Sequence, residues 1–270
     1  MDTLIILALF VFGAIFGSFG GAMVWRLKTG RRVANDRSEC EHCHHKLSVL
    51  DLIPVLSWLT LRGKCRYCRK PIGWTPLLLE IGLGLVFVSS YVLWPWQLTT
   101  PLELSFFVAW LVACVMLAIL FVYDLKWYLL PDRVIWPLAG VGVVLFICRA
   151  LLNKWGLDQS FLELGLALVP VTGVYYVLHK VSQGRWVGFG DVKLGIFIGL
   201  ALGWQGALLA LVLSNFIGLV IILPGLLSGK FSRTSEIPFG PFLIVATIIA
   251  MLSGEHIIRW YLQLALGGTL

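Results

Sequence analysis

From Thr3 to Trp25 the chain carries no charged residue, reading TLIILALFVFGAIFGSFGGAMVW. A helix of about 20 apolar residues crosses the hydrocarbon core of a bilayer, so this run is long enough to span. Seven further apolar runs follow, at 76–94, 104–123, 134–152, 161–180, 190–203, 206–227 and 239–262. With 59% hydrophobic and 13% charged residues, the chain lacks the polar surface that a soluble protein of its length needs. The runs are continuous rather than alternating ten-residue segments, which excludes a barrel and predicts an all-α, polytopic integral membrane protein of about eight transmembrane helices. The run at 190–203 is short for a span, and the break at Gly203–Gly206 reads as a tight hairpin. No Lys or Arg precedes Arg26, so the first run lacks the basic region of a secretory signal peptide and is expected to be a retained helix.

Basic residues set the orientation. Residues 28–75 hold ten Lys or Arg against four acids, a net charge of +6 out of +7 for the whole chain. Positive segments stay in the cytoplasm, which places 28–75 inside and the N-terminus outside. Alternation then puts the connections near 124–133, 181–190 and 228–238 inside, where Lys126, Arg133, Lys180, Arg185, Lys230 and Arg233 lie. Arg149 and Lys154, on an outer connection, are the exceptions. Topology and anionic lipid account for the basic surplus, so no nucleic-acid partner is expected. Three parts are predicted: a first transmembrane helix at 1–27, a small cytoplasmic zinc-knuckle insert at 28–75, and a helical membrane domain at 76–270.

The insert carries CEHC and CRYC, in which Cys40 and Cys43 are separated by 21 residues from Cys65 and Cys68. Two such knuckles about twenty residues apart have the spacing of a structural zinc site with four cysteine ligands. A loop this short builds little core, and bound Zn2+ would supply its folding energy. Three rival readings stand beside zinc: a redox pair, substitution of one cysteine by His42, His44 or His45, and unmetallated cysteines. Cys114 and Cys148 lie within apolar runs and read as small buried hydrophobes.

Ionisable residues within spans are costly and are functional candidates. Glu103 and Glu163 fall near helix starts, where a carboxylate suits the helix dipole. Asp132, in LLPD, is expected to cap the following helix. Asp124 ends the third span and Asp191, in GFGDVK, opens the sixth, both on the cytoplasmic side. Two carboxylates close together in a low-dielectric site share one proton, leaving one as general base and the other as acid. Gly188 and Gly190 remove side chains beside Asp191 and make room for an extended peptide. Lys193 either tunes that carboxylate or reaches toward headgroups. Gly13, Gly17 and Gly21, and likewise Gly195, Gly199 and Gly203, are spaced for close helix packing.

GFGDVK fits the G-x-G-D motif of polytopic aspartic proteases. Together with GSF at 17–19, WRL at 25–27, LSVLDLIPVLSWLTLRGKCRYC, PLLLE at 76–80, YDLKWYLLPDRVIWPL at 123–138 and PFGPFL at 238–243, it resembles the bacterial type IV prepilin peptidases, the prepilin leader peptidase and N-methyltransferase family. The resemblance implies that Asp124 and Asp191 are the catalytic pair, cutting the leader of type IV prepilin or pseudopilin substrates at the cytoplasmic face of the inner membrane. It also implies methylation of the new N-terminal amine with S-adenosylmethionine. Glu80 and Gly84 match a family acid–glycine pair and are assigned, with Gly188, Gly190 and Lys193, to substrate binding or methyl transfer. The chain departs from the family pattern at Gly21, where asparagine is usual, and at RKPIGWTP after the second knuckle. Both departures fall in the segment associated with methylation, so the alternative enzyme is a peptidase alone. A presenilin-like protease that cuts deep in the bilayer, a proton-coupled transporter using the two aspartates, and a non-catalytic assembly scaffold are the remaining readings.

Overall fold

The computed structural model of the chain describes residues 2–31, 37–229 and 237–265. Among these, nine α-helices form: α1 (Asp2–Thr29), α2 (Leu56–Thr60), α3 (Thr75–Val92), α4 (Pro101–Trp127), α5 (Asp132–Leu152), α6 (Leu157–Leu168), α7 (Val174–Ser182), α8 (Phe189–Leu227) and α9 (Gly240–Ala265). Strand structure among the described residues is confined to two isolated bridges, Glu39 with Lys46 and Lys64 with Pro71. A single π-helical turn, Val169–Gly173, joins α6 to α7. Pro170 sits in that turn; it has no N–H for the usual helical bond, which favours the wider turn. Lys230 and Arg233, assigned to an inner connection, lie outside the described residues.

Seven helical segments are long and apolar enough to cross a membrane, counting α6 to α7 as one. Large apolar side chains such as Leu7, Phe12, Val108, Phe161, Phe216 and Leu219 are exposed along them. In water such faces would drive aggregation; in a bilayer they are the lipid surface. The chain is a multi-pass membrane protein.

The expected eight spans and the seven helical segments are reconciled within α8. Its 39 residues would extend about 58 Å, twice the hydrocarbon thickness, if straight. They do not run straight, because Gly203 adopts φ 72° and ψ 178°, a conformation essentially reserved for glycine. Before it, Lys193 pairs with Asp132 at the start of α5, and Gly203 lies against Arg149 near the end of α5, so this arm runs alongside α5 in the same direction. After it, Leu209 packs near Gly254 and Gly218 near Phe242, so the second arm runs antiparallel to α9. Gly203 therefore turns the chain back, and α8 is two membrane passes joined by a hairpin. This glycine makes the turn and also admits the Arg149 guanidinium, since a Cβ there would lie 2.8 Å from Nη1.

The chain divides into two compact units, residues 1–92 with 114–122, and residues 93–113 with 123–270. In the first, α1 packs on α3 through glycine. A Cβ on Gly13 would lie 2.7 Å from the Gly84 Cα, and one on Gly17 would lie 2.6 Å from the Glu80 Cα. Gly21 makes no such approach, since its nearest neighbour is the Leu79 side chain at 3.8 Å. In the second unit, α4 begins with a capping box in which Glu103 accepts hydrogen bonds from the Thr99 and Thr100 amides while the Thr100 hydroxyl oxygen accepts from the Glu103 amide. The first arm of α8 packs on α6 and the π turn, with Gly195 against Thr172 and Gly199 against the Ala167 carbonyl.

Two helix-end expectations change. Pro131, not Asp132, is the N-cap of α5; Asp132 is the first helical residue and its carboxylate goes to Lys193 instead. Helix α6 starts at Leu157, so Asp158 occupies the first turn and Glu163 lies one turn further in.

Candidate active site

Asp124 lies in the last turn of α4, where its carbonyl accepts the amide of Tyr128, the left-handed residue that ends the helix. The carboxylate of Asp124 accepts a hydrogen bond from the backbone N–H of Gly240, the first residue of α9. The approach is close, for a Cβ on Gly240 would stand 2.6 Å from Asp124 Oδ2. Asp191 is the third residue of α8, and its carboxylate accepts the backbone N–H of Gly188, the N-cap. Each carboxylate thus meets an otherwise orphaned N-terminal amide at the positive end of a long helix, which favours negative charge there. The two carboxylates lie within electrostatic range of each other, so ionising one opposes ionising the other. Asp124 is buried, whereas Asp191 is partly exposed.

Leu130 lies beside Gly190 and Gly240, the glycines that adjoin Asp191 and Asp124. A Cβ on Gly190 would come 3.1 Å from its Cβ, and one on Gly240 would come 3.5 Å from its Cδ2. Gly190 is therefore a packing position against Leu130, while the nearest atom to a Cβ on Gly188 is Asp191 Oδ2 at 3.5 Å. Lys193 does not stand free; its ammonium donates to Asp132 Oδ1 at 2.6 Å. Phe239, immediately before Gly240, meets the buried Tyr175 ring edge-on at 5.8 Å. Sequence reasoning missed Gly240 and Leu130 as neighbours of the pair. The PFGP run around Gly240 offered a signal, a Gly–Pro helix start, but nothing local ties it to an aspartate over a hundred residues earlier.

Glu80 and Gly84 belong to the first unit. Glu80 is buried, and its Oε2 accepts the Val55 amide at 2.6 Å while the Ser18 hydroxyl donates to the same carboxylate. Val55 has φ 63°, costly for a β-branched residue, and the Glu80 bond holds it there. Glu80 thus fastens the 49–60 segment to α1 and α3. A Cβ on Gly84 would sit 2.9 Å from the Phe10 ring, so Gly84 too is a packing position.

The four knuckle cysteines converge, with all four sulfurs within 4.8 Å of one another. Cys40 and Cys68 Sγ are 3.8 Å apart. Four sulfurs about 2.3 Å from a tetrahedral centre stand about 3.8 Å from each other, so the donor set fits a single zinc-sized ion. The knuckles are built alike. The Cys40 amide donates to His45 O and the His44 amide to Cys40 O, while the Cys65 amide donates to Lys70 O and the Arg69 amide to Cys65 O. Burial opposes ionisation of Cys65, yet the amides of Cys68 and Tyr67 aimed at its sulfur outweigh this and bring its thiol down to about 7. At Cys43 the His45 amide favours the thiolate, but burial and the neighbouring sulfurs prevail and push it up to about 11. Such a set sheds protons as a cation enters. His44 is engaged with Glu39 at 3.0 Å and the His45 ring stacks on Tyr67 at 3.6 Å, so neither is needed as a ligand.

The profile described as Bacterial Peptidase A24 N-terminal domain matches residues 11–94, and that described as Type IV leader peptidase family matches residues 111–223. A protein named prepilin leader peptidase/N-methyltransferase from Aeromonas hydrophila is 36% identical over 84% of this chain and 74% of its own length. Proteins of the same name from Stutzerimonas stutzeri and Bacillus subtilis (strain 168) are 34% and 30% identical, over 84% and 96% of this chain and 75% and 98% of their own. No solved structure matches the chain. Two aspartates at helix ends in one compact unit and four converging cysteines in the other fall within the two matched profiles, and the chain belongs to the type IV leader peptidase family.

Proposed function

We propose that this protein is a membrane aspartic endopeptidase that removes the leader peptide of type IV prepilin-like substrates and methylates the new N-terminal amine. The observation that carries the peptidase reading is the pairing of Asp124 and Asp191, each held by a helix N-terminal amide and each within electrostatic range of the other. The pair holds one proton between them. The ionised carboxylate takes a proton from water as the water oxygen attacks the scissile carbonyl carbon, and the protonated partner gives its proton to the carbonyl oxygen. Collapse of the tetrahedral intermediate breaks the C–N bond, with a proton delivered to the departing amine. The two carboxylates act as a unit, and neither role is assigned to one of them.

The excess of Lys and Arg in 28–75 supports an inner-membrane orientation with this pair facing the cytoplasm, beside the point where a substrate's apolar helix enters the bilayer. Cys40, Cys43, Cys65 and Cys68 would hold Zn2+, which when bound cross-links the two knuckles. The methyl donor consistent with the relatives' name is S-adenosylmethionine, which supplies an electrophilic methyl group when bound. Glu80 is already occupied by Val55 and Ser18, and no methyl-transfer step is assigned to it.

Incubation of the purified protein with a prepilin and S-adenosylmethionine, followed by mass measurement of the products, tests both activities. Loss of the leader mass and gain of one methyl are expected. Asp124→Asn and Asp191→Asn are expected to abolish cleavage while the protein stays folded; normal cleavage by either variant would sink the pair.

A further inference from the structure

Arg149 broke the charge pattern of the sequence, and its surroundings give it a task separate from the aspartates. It lies 17 residues along α5 from Asp132, about 26 Å at the helical rise, and so at the other end of the pass. Its residue surface is 7% exposed. Nη1 donates at 3.2 Å to the carbonyl of Ala201, two residues before the break at Gly203, where helical bonding is interrupted. Nε and Nη2 are buried with no hydrogen-bond partner. These two N–H groups form one edge of the guanidinium, the fork that meets two oxygens of a phosphate or carboxylate at once. The guanidinium lies over the Phe146 and Trp155 rings at 5.8 and 5.5 Å, but ring faces supply no acceptor oxygen to either group. Buried donors without an acceptor are costly, more so when charged, so two on one cation need an explanation.

Arg149 lines a cavity of about 350 Å³ shared with Trp96, Trp155, Trp204 and Glu163. Glu163 lies within electrostatic range of the guanidinium but leaves Nε and Nη2 unpaired. Glu255, also on the cavity wall, pairs with Arg259 at 2.9 Å, and His256 completes the titratable lining. Tryptophans at a helix-end level are the side chains that settle among lipid headgroups. We propose that this cavity is an anion site in which the Nε–Nη2 edge of Arg149 binds two oxygens of a phosphate group at the membrane face opposite the aspartates. The phosphate comes either from a phospholipid headgroup or from free phosphate.

Two measurements on the full chain distinguish the sources. Native mass spectrometry of protein released from nanodiscs of phosphatidylethanolamine and phosphatidylglycerol counts retained phospholipids. Calorimetric titration with inorganic phosphate, in non-ionic detergent, reads the free anion. The comparison is with Arg149→Lys, which keeps the charge and loses the fork. Retention of one more phospholipid by the parent chain than by the variant identifies a headgroup; phosphate binding at least about tenfold weaker in the variant identifies the free ion. If Arg149→Lys does not fold, Glu163→Gln takes its place, and removing that carboxylate raises phospholipid retention or phosphate affinity severalfold. Lipid and phosphate binding that are the same in the parent and in whichever variant folds would overturn the proposal, with the two nitrogens then served by water alone. Leader cleavage is untouched by either result.

Discussion

Substituting Gly240 by alanine separates catalysis from folding at the point where α9 meets Asp124. The added Cβ would lie 2.6 Å from Asp124 Oδ2 and 3.3 Å from its Cγ. Ordinary carbon–oxygen contacts begin at about 3.3 Å, so the carboxylate must retreat by about 0.7 Å or rotate off the Gly240 amide. Misplacing a catalytic group by about 1 Å costs about 100-fold, which sets the expected loss in cleavage rate at about 10- to 100-fold, or about 1.4–2.7 kcal/mol of barrier. Stability should not follow, because Gly240 is a helix-opening residue without a positive φ and alanine suits that backbone. Gly188→Ala is the control: its Cβ would stand 3.5 Å from Asp191 Oδ2, an ordinary contact, and Gly188 has φ −68° and ψ 149°, which alanine adopts freely. The assay is initial-rate cleavage of a prepilin, with thermal unfolding in parallel. A Gly240→Ala enzyme cutting within twofold of the parent, or a Gly188→Ala enzyme equally impaired, would refute the geometry argued for the pair.

Three further outcomes are expected. Purified protein should carry one zinc per chain, and Cys65→Ser or chelation should make residues 37–73 protease-sensitive while the membrane helices persist; a metal-free, protease-resistant loop would contradict this. Asp51→Asn should weaken the same loop. Burial of Asp51 works against its charge, but Arg66 at 2.6 Å and the Ser48 amide and hydroxyl hold its carboxyl down to about 2. The folded value is depressed, so the contribution is whole above the unfolded value of about 4 and is lost as pH falls toward 2. Because Arg66 is 45% exposed, solvent screening leaves only a small contribution, read as faster hydrogen exchange of the loop in Asp51→Asn than in the parent at pH 6, where the cysteines keep their metal; equal exchange would contradict it. Gly203→Ala should destabilise the protein by about 1–3 kcal/mol from backbone strain alone, with a further cost because its Cβ would meet Arg149 Nη1 at 2.8 Å. An unchanged unfolding temperature would argue against the hairpin.

What the amino-acid sequence disclosed, and what it withheld, divides along the range of the forces involved. Span positions, the four-cysteine set and the expectation that Asp124 and Asp191 lie at one end of their helices all follow from local composition, because a bilayer imposes one length and one charge rule on every segment. Thr100–Glu103 was readable for the same reason, since a capping box is complete within four residues. Asp132 was misread because Lys193, 61 residues away, outcompetes the local cap. Gly190 was read, with Gly188, as room for an extended substrate, and Leu130 stands where its Cβ would be; Gly84, read as half of an acid–glycine pair, has the Phe10 ring in the same position. In each case a long-range partner decided the role of a residue whose local signal was sound.

Arg149 carries that argument furthest. By the charge rule it is an anomaly, and its sequence neighbours offer it only the faces of the Phe146 and Trp155 rings, 5.8 and 5.5 Å from its guanidinium carbon, and no acceptor oxygen. The break at Gly203 supplies one reason, since helical bonding is interrupted there and nearby carbonyls call for a donor from another helix. One nitrogen of Arg149 meets that need. A neutral donor such as asparagine or glutamine would meet it at lower desolvation cost, so capping does not account for a full cation with two more N–H groups aimed elsewhere. The surplus over the structural requirement is what marks the residue as built for a ligand, and the same surplus is what makes Arg149→Lys, with its charge kept and its planar edge removed, the informative substitution.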